Sequence, residues 1–229
     1  MALIELTDIS KVYPLGNQQV TALTGFTLSI DKGEFTVLAG PSGSGKTTVL
    51  NLIGGIDQPT AGTIRIEGRD VGTRTIGALA DFRLHHIGFI FQSYNLIPVL
   101  TAAENAEFTL MLQGRTKPER RTRIRELFAE LGIAGLENRK PRDLSGGQQQ
   151  RVAVARAIAS HPTVVLADEP TANLDSQTAE ELLDLMLRLN TQYRTTFIFS
   201  SHDPLVISRA RRVIRLRDGR LEDDRKQPA

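Results

Sequence analysis

Short apolar runs alternate with longer amphipathic stretches along most of the chain. Four compact runs are typical of strands that are buried on both faces. They are FTVLA (35–39), IGFIF (87–91), TVVLA (163–167) and TFIFS (196–200). Helical spacing and good helix formers occupy the stretches 45–53, 118–131, 147–160 and 179–190. Strands that alternate with helices in this way predict an α/β fold built on a parallel sheet.

Two regions depart from this alternation. Near the start, LIEL (3–6), FTLSI (26–30) and TIRIEG (63–68) read as strands joined by turns, which predicts an N-terminal antiparallel β subdomain. Residues 100–142 contain helical patterns and no convincing strand. We therefore predict one domain over 1–229, with a helical subdomain at about 100–160 inserted in the α/β core. The polar end EDDRKQPA (222–229) is predicted to be frayed.

Composition narrows the possible functions. The chain has 229 residues and no cysteine, which excludes disulfides, thiol catalysis and cysteine-ligated metals. The net charge is only +2, and a nucleic-acid-binding protein would show a stronger, clustered excess of basic residues. No nucleic-acid partner is therefore expected. Acidic residues near the start argue against a signal peptide. The lack of a long apolar run argues against a membrane-spanning helix, so a role at a membrane would need a partner protein.

Arginines are concentrated in two stretches, GRTKPERRTRIRE (114–126) and RARRVIRLRDGR (209–220). Solvated helix or strand faces are the favoured interpretation, because nearby acidic residues partly balance the first stretch. Contact with acidic lipid headgroups or an acidic partner is the alternative.

The stretch GPSGSGKT (40–47) lies between a predicted strand and a predicted helix and fits the pattern G-x-x-x-x-G-K-[ST]. Glycines allow backbone N–H groups to surround a phosphate, and the helix adds its positive N-terminal end. Lys46 is suited to the β- and γ-phosphates and Thr47 to Mg²⁺. The pattern predicts a P-loop nucleotide site and hence a P-loop NTPase core, but it does not separate kinases, GTPases, motors and transport ATPases.

Asp168 and Glu169 follow directly after the apolar run TVVLA. Ligands bind at the carboxyl ends of the strands in open α/β sheets. Asp168 is therefore predicted to hold Mg²⁺, and Glu169 to act on a water molecule in line with the γ-phosphate as general base. An exposed acidic turn is the alternative interpretation.

A second glycine turn, LSGGQQQR (144–151), precedes another predicted helix. Such a turn can bind an anion at the helix N-terminus, but this one lacks the lysine of the first. It could complete a site that is built mostly by another chain.

Together these stretches resemble the ATP-binding cassette (ABC) ATPases, over about residues 3–221. The family's elements occur here in the family's order. They are an early aromatic residue (Tyr13), the glycine loop, a glutamine after a strand (Gln92), the signature LSGGQ, the acidic strand end, ANLD at 172–175 and a histidine after the last core strand (His202). One departure is Ala172, where many relatives have glycine or serine.

The resemblance implies a role for each matching residue. The catalytic set would be Glu169 as base, His202 at the γ-phosphate, Gln92 at the attacking water and Lys46. The Mg²⁺ ligands would be Thr47, Gln92 and Asp168. The ATP-binding set would be Tyr13 against the adenine, Gly40, Ser42, Gly43, Ser44, Gly45, Lys46, Thr47 and Thr48, with Ser145, Gly146, Gly147 and Asp175 acting across a head-to-tail homodimer that sandwiches ATP.

Structural interpretations remain open for four of these residues. Tyr13 could be edge packing, Gln92 a polar strand end and His202 a surface histidine. Asp175 could be the N-cap of the helix predicted at 179–190, a role that is compatible with a place at the dimer seam.

Longer stretches narrow the resemblance to the macrolide-exporter and lipoprotein-release group of bacterial ABC ATPases. They are GGIDQPTAGTI (54–64), IGFIFQSYNLIPVLTAAENAEFTL (87–110) and ADEPTANLD (167–175). This likeness implies a location on the cytoplasmic face of the inner membrane and an integral permease subunit with an extracytoplasmic domain. Asn95, Leu96, Ile97 and Pro98 would lie near its docking groove, although ordinary subdomain packing would also explain them. The alternatives are a soluble ABC ATPase acting on nucleic acid or ribosomes and, more remotely, a P-loop kinase.

Overall fold

A computed structural model describes residues 2–16 and 18–227, which divide into two compact units. The first unit comprises the described residues up to Arg83 together with those from Thr196 onward, and the second is Leu84–Thr195. The prediction of a single domain with an inserted helical subdomain stays a prediction.

Ten strands and seven α-helices occur in the described part of the chain. The strands are β1 (Ala2–Leu15), β2 (Gln18–Asp31), β3 (Phe35–Ala39), β4 (Ala61–Ile66), β5 (Arg69–Asp70), β6 (Ile87–Ile90), β7 (Val164–Asp168), β8 (Thr196–Ser201), β9 (Arg212–Arg217) and β10 (Arg220–Lys226). The helices are α1 (Lys46–Ile53), α2 (Ile76–His86), α3 (Ala102–Leu112), α4 (Lys117–Glu130), α5 (Gly146–Ile158), α6 (Ser176–Tyr193) and α7 (Pro204–Arg209).

The first unit begins with an antiparallel sheet of strand order β2-β1-β4-β5, which confirms the predicted N-terminal β subdomain. Alternate residues Ile4 and Leu6 of β1 are buried, and so are Phe26, Leu28 and Ile30 of β2. The strands are much longer than the short runs LIEL and FTLSI. Register shifts such as the one between Leu6 and Ile9 interrupt the period-2 pattern, so the sequence shows only parts of each strand.

The same unit contains a second set of strands, in which β3 lies between β8 and β9 and is parallel to both. Phe35, Phe197 and Phe199 form its aromatic centre, with ring centroids 4.6–6.0 Å apart. The parallel pairing confirms the predicted sheet. The pairing of Ala39 with Ser201 also brings the carboxyl ends of β3 and β8 side by side.

Strand β10 pairs antiparallel with β9, so the prediction of a frayed end is wrong for residues 222–226. Polar side chains hold it in place. Arg212 is mostly buried and forms ion pairs with Glu34 at 2.8 Å and with Asp224 at 2.7 Å. These contacts, with Asp224 first, raise the pKa of the Arg212 guanidinium. Residues 228 and 229 of the predicted frayed end lie outside the described residues.

The second unit combines the parallel pair β6–β7 with the helices α3 to α6. Helix α5 runs close against β6, because a Cβ built on Gly88 would lie 2.3 Å from the carbonyl oxygen of Ala157. Only glycine fits there. Residues 100–160 carry three of the helices and, in the part that the structure describes, no strand. No helix among the described residues is long and apolar enough to cross a membrane.

Candidate nucleotide site

The glycine loop at 40–47 has a backbone that other residues adopt only with strain. Gly40, Gly43 and Gly45 have φ values of 154°, 79° and 102°. Space is also short, because a Cβ on Gly40 would lie 2.3 Å from the carbonyl oxygen of Leu216. The loop therefore needs glycine at Gly40 for both conformation and space.

Lys46 is the first residue of α1 and is 7% exposed. Its Nζ donates to the carbonyl oxygens of Gly40 at 2.8 Å and Pro41 at 2.9 Å, so the ammonium group lies on the loop itself. No side chain caps the N-terminus of α1, whose N–H groups keep their partial positive charge. Both features favour an anion at this loop.

The other predicted residues of the loop differ in exposure. Ser42 and Thr47 are exposed, whereas Ser44 is 3% exposed. The Ser44 hydroxyl has no hydrogen-bond partner among the described residues. Thr48 is half-buried and its side chain hydrogen-bonds to Tyr13.

Tyr13 is held by an ionic brace that the sequence did not reveal. Its hydroxyl donates to Asp57 Oδ2 at 2.7 Å, and Lys11 Nζ lies 2.6 Å from Asp57 Oδ1 and 4.7 Å from the centre of the Tyr13 ring. Burial, followed by the hydrogen bond to Asp57, raises the pKa of Tyr13. Burial by itself disfavours the Asp57 carboxylate, but the hydrogen bonds from Lys11 and Tyr13 outweigh it and lower the pKa of Asp57.

His202 follows β8 directly and is exposed. Since Ala39 pairs with Ser201 in the parallel register, His202 and Gly40 leave neighbouring strands at the same end. The first unit therefore places the glycine loop and His202 at the same end of two neighbouring strands.

The carboxylates lie in the second unit, at the end of β7. Asp168 is its last residue, and Glu169 adopts a φ of 45°, a strained value for a residue with a side chain. Because Ile90 pairs with Ala167, the chain segments that carry Gln92 and Glu169 leave β6 and β7 at the same end. The carbonyl oxygen of Gln92 accepts a hydrogen bond from Asn173 Nδ2 at 2.9 Å.

The three glutamines of LSGGQQQR each hydrogen-bond to a different backbone group. The Gln148 side chain accepts from the backbone N–H of Ser145 at 3.0 Å, while Ser145 Oγ accepts from the Gln148 N–H at 3.3 Å. This capping box fixes the start of α5. Gln149 donates to the Leu144 carbonyl at 3.1 Å, and the buried Gln150 donates to the Pro170 carbonyl at 2.7 Å. Gln150 thus joins α5 to the segment after Glu169.

Side chains leave little space for a Cβ at the two glycines of the signature. A Cβ on Gly147 would lie 2.5 Å from Thr178 Cγ2, and one on Gly146 would lie 2.9 Å from the Tyr94 hydroxyl oxygen. Asp175 holds Thr178 in turn, accepting from its backbone N–H at 3.0 Å and from its hydroxyl at 2.7 Å. These hydrogen bonds lower the pKa of Asp175, which is the N-cap of α6.

Sequence reasoning missed several residues that contact the predicted site residues within each unit. Lys11 and Asp57 hold Tyr13 in place. Arg156 hydrogen-bonds to the carbonyl of Tyr94, two residues after Gln92. They belong to no recognised motif, because their partners lie between 44 and 79 positions away along the chain. The only signal in the sequence is the presence of Asp57, Tyr94 and Arg156 inside or beside the stretches that carry the resemblance.

Curated proteins with similar sequences carry transport names. The macrolide export ATP-binding/permease protein MacB of Salmonella choleraesuis is 45% identical over 220 residues, which cover 96% of this chain and 34% of that protein. The lipoprotein-releasing system ATP-binding protein LolD of Chromohalobacter salexigens is 42% identical over 222 residues, covering 97% of this chain and 94% of that protein. The chain therefore spans about a third of the macrolide-export relative and nearly all of the lipoprotein-releasing one.

Solved structures and a family profile agree with these names. A dimeric post-hydrolysis structure of an ATP-binding cassette bound to ADP and Pi is 40% identical, with a TM-score of 0.91 and 99% of each chain covered. A sequence profile described as ABC transporter matches residues 23–172. The chain thus belongs to the ABC transporter family, in the group of the macrolide-export and lipoprotein-releasing ATP-binding proteins.

Proposed function

We propose that this chain is the ATP-hydrolysing subunit of a membrane transport complex. The observation that carries the proposal is the glycine loop with Lys46 on its carbonyl oxygens at the uncapped start of α1. A glycine-rich loop, a buried ammonium group and a helix N-terminus together favour a polyphosphate. The relative bound to ADP and Pi supports ATP as the substrate.

Hydrolysis would use the residues that match the family's catalytic motifs, as the family resemblance implies. Lys46 would neutralise charge on the β- and γ-phosphates, and His202 would bind the γ-phosphate. Glu169 would accept a proton from a water molecule while the oxygen of that water bonds to the γ-phosphorus. The bond between the γ-phosphorus and the oxygen that bridges it to the β-phosphate breaks at the same time. The products are ADP and phosphate. Gln92 would orient that water, and Tyr13, held by Asp57, would stack on the adenine.

The predicted metal ligands suit Mg²⁺. Thr47 offers a hydroxyl, Asp168 a carboxylate and Gln92 an amide oxygen, and all three are hard oxygen donors. Mg²⁺ keeps several waters and shares substrate phosphates, so it does not need an all-protein cage. Among the described residues there is no group of three or more His, Cys, Asp or Glu residues that could hold a metal ion. When bound, the ion would neutralise charge on the phosphates.

Two copies would pair head to tail around two ATP molecules. In this arrangement Ser145, Gly146 and Gly147 close on the ATP of the opposite subunit, and Asp175 lies at the seam. Support comes from the dimeric structures of related cassettes. The signature turn fits a completing role, because it opens α5 without a lysine of its own.

A permease subunit with an extracytoplasmic domain would be the membrane partner, with this chain on the cytoplasmic face of the inner membrane. The ATP-binding/permease name of the macrolide-export relative supports a permease. Residues 95–98 are half-buried or exposed, and Val99 beside them is 73% exposed. The buried Asn105 holds this segment, exchanging hydrogen bonds with the backbone of Ile97 at 2.7 and 3.1 Å. We propose this segment as the docking face.

Glu169→Gln tests the catalytic assignment. The amide keeps the size of the side chain but is no base, so hydrolysis should fall by about 10²–10⁴-fold while ATP still binds. An ATP-bound dimer should then accumulate in size-exclusion chromatography. Normal hydrolysis by Glu169→Gln would show that the base assignment is wrong.

Ser145→Arg tests the split site, with Ser145→Ala as its matched control. The arginine should block closure across the dimer, abolishing hydrolysis while leaving ATP binding by each subunit largely intact. Ser145→Ala loses the same capping hydroxyl without filling the turn, so it reports the cost of the cap alone, about 1 kcal/mol. Loss of ATP binding in Ser145→Arg would instead place the turn in its own chain's site.

A further inference from the structure

The backbone just after Gln92 forms an unusual turn. Tyr94 and Asn95 are consecutive and have φ values of 58° and 49°, in the left-handed region that favours glycine. Inside the turn, the Tyr94 N–H donates a hydrogen bond to the Phe91 carbonyl at 3.2 Å, and the Asn95 N–H donates one to the Ser93 carbonyl at 2.6 Å. Two such residues in succession persist only where the surroundings hold them.

Side chains from two other segments hold this turn. The half-buried Arg156, on α5, donates from Nη1 to the Asn95 carbonyl at 2.6 Å and from Nη2 to the Tyr94 carbonyl at 2.8 Å. Asn173, four residues after Glu169, donates to the Gln92 carbonyl at 2.9 Å. Three carbonyl oxygens within four residues are thus fixed by side chains that lie far away along the chain.

The Tyr94 side chain reaches the other end of α5. Its hydroxyl lies 3.5 Å from the Asn173 carbonyl oxygen, at the long limit of a hydrogen bond, and 2.9 Å from where a Cβ on Gly146 would stand. Burial raises the pKa of this hydroxyl, which stays protonated. Gly146 and Arg156 are ten residues apart on one helix, about 15 Å along its axis. The turn therefore touches α5 at both ends.

We propose that Tyr94 and Arg156 are positioning residues that lock the Gln92 segment to the signature helix α5. Because α5 contacts the turn at two separated points, a movement of the signature turn carries the Gln92 backbone with it. The effect on hydrolysis rests on the proposed function, in which Gln92 orients the attacking water. The lock itself depends only on contacts within the second unit.

A double-mutant cycle at Gly146 and Tyr94 tests the lock without any activity assay. In the wild-type background, Gly146→Ala should lower the Tm because the new Cβ meets the Tyr94 hydroxyl oxygen. In a Tyr94→Phe background that oxygen is gone and the next atoms are 3.8 Å away, an ordinary contact. The same Gly146→Ala change should then leave the Tm unchanged or raise it, since alanine favours helix over glycine. An equal decrease in Tm in both backgrounds would show that Gly146 and the Tyr94 hydroxyl are not in contact.

Arg156→Lys tests both the hold on the turn and its effect on hydrolysis, with Arg123→Lys as the control variant. Arg123 also donates from its guanidinium to backbone carbonyls of the second unit, those of Ala159 and Ile158, but does not touch the Gln92 segment. Lysine keeps the charge of Arg156 and loses its two-pronged hold on the turn. Amide exchange at residues 92–96 should accelerate by about tenfold or more in Arg156→Lys and stay unchanged in Arg123→Lys.

Steady-state kinetics complete the test. Arg156→Lys should lower kcat by about tenfold with KM for ATP within about threefold, because the glycine loop is untouched. Unchanged exchange would overturn the lock, and accelerated exchange with a normal kcat would overturn its role in hydrolysis. A wild-type protein without Mg²⁺-dependent ATPase activity would refute the proposed function, while the exchange and the Tm cycle would still decide the lock.

Discussion

The chain has two glycine-rich turns that open helices, and they need glycine for different reasons. In the loop at 40–47, three glycines have positive φ, and a lysine lies over the loop carbonyls. In the signature turn, neither Gly146 nor Gly147 has positive φ, but both lack room for a Cβ. The first turn needs glycine for its backbone conformation, and at Gly40 and Gly45 for space as well, whereas the second is restricted by the side chains that press on it.

This difference determines whether a second substitution could restore the stability lost when a glycine of either turn is replaced. A clash with a side chain disappears when that side chain is trimmed, whereas a disfavoured φ cannot be relieved by changing a neighbour. The helix starts differ as well, since α1 has no side-chain cap while α5 has a complete capping box. The glycine loop leaves the first N–H groups of α1 for a ligand, whereas in the signature turn the capping box already pairs the N–H groups of Ser145 and Gln148.

Gly45→Ala should give the largest effect. Alanine would adopt a φ of 102° and would also meet Leu23 Cδ2 at 2.8 Å. Strain and overpacking together should cost about 2–5 kcal/mol of unfolding free energy and weaken ATP binding strongly. Gly43→Ala is the matched control, since it has positive φ but open space, and should cost about 1–2 kcal/mol. Denaturant unfolding measures both, and equal losses would refute the steric component.

Gly147→Ala should destabilise less, by about 1–3 kcal/mol, because only space is lacking. The clash is with Thr178 Cγ2 at 2.5 Å, and the next atom is at 3.9 Å. Thr178→Ser removes that methyl group and keeps the hydroxyl that donates to Asp175. The double variant should therefore recover most of the lost stability. If Thr178→Ser gives no recovery, the difference between the two turns does not hold.

Asp57→Asn should have the smallest effect and a defined pH dependence. The folded-state pKa of Asp57 lies below its ordinary value of 3.8, so its stabilising contribution is present above that pH and is lost as the pH falls through the folded-state pKa. At pH 7 the free energy of unfolding of the variant should be lower than that of the wild type by about 0.5–1 kcal/mol, the range of a partly exposed ion pair. High salt should reduce the difference.

Unfolding curves of both proteins from pH 7 down to acid, at low and high salt, measure this contribution. The wild type and Asp57→Asn should converge in acid. A difference that persists at the lowest pH, or that grows with salt, would show that Asp57 does not act through its charge on Lys11 and Tyr13.

The sequence predicted elements best where one short stretch contains the whole reason for the structure. The helix predicted at 147–160 is α5 (Gly146–Ile158), and FTVLA coincides with β3. The helix predicted at 179–190 extends over Ser176–Tyr193, because Asp175 caps it earlier than the apolar spacing suggested. Strand β10 was missed, because its polar residues are held by Arg212 rather than by an apolar pattern.

By itself, the sequence determined the α/β fold with its N-terminal antiparallel sheet, the membership of the ABC transporter family and the glycine loop. The fold and the glycine loop depend on periodicity or backbone conformation that neighbouring residues encode, and the family membership depends on short motifs in a set order. Only the tertiary structure decided what limits the space at Gly146 and Gly147, what braces Tyr13 and what holds the turn after Gln92. Those answers depend on contacts between residues far apart along the chain, since a clash or a hydrogen bond has no local sequence pattern.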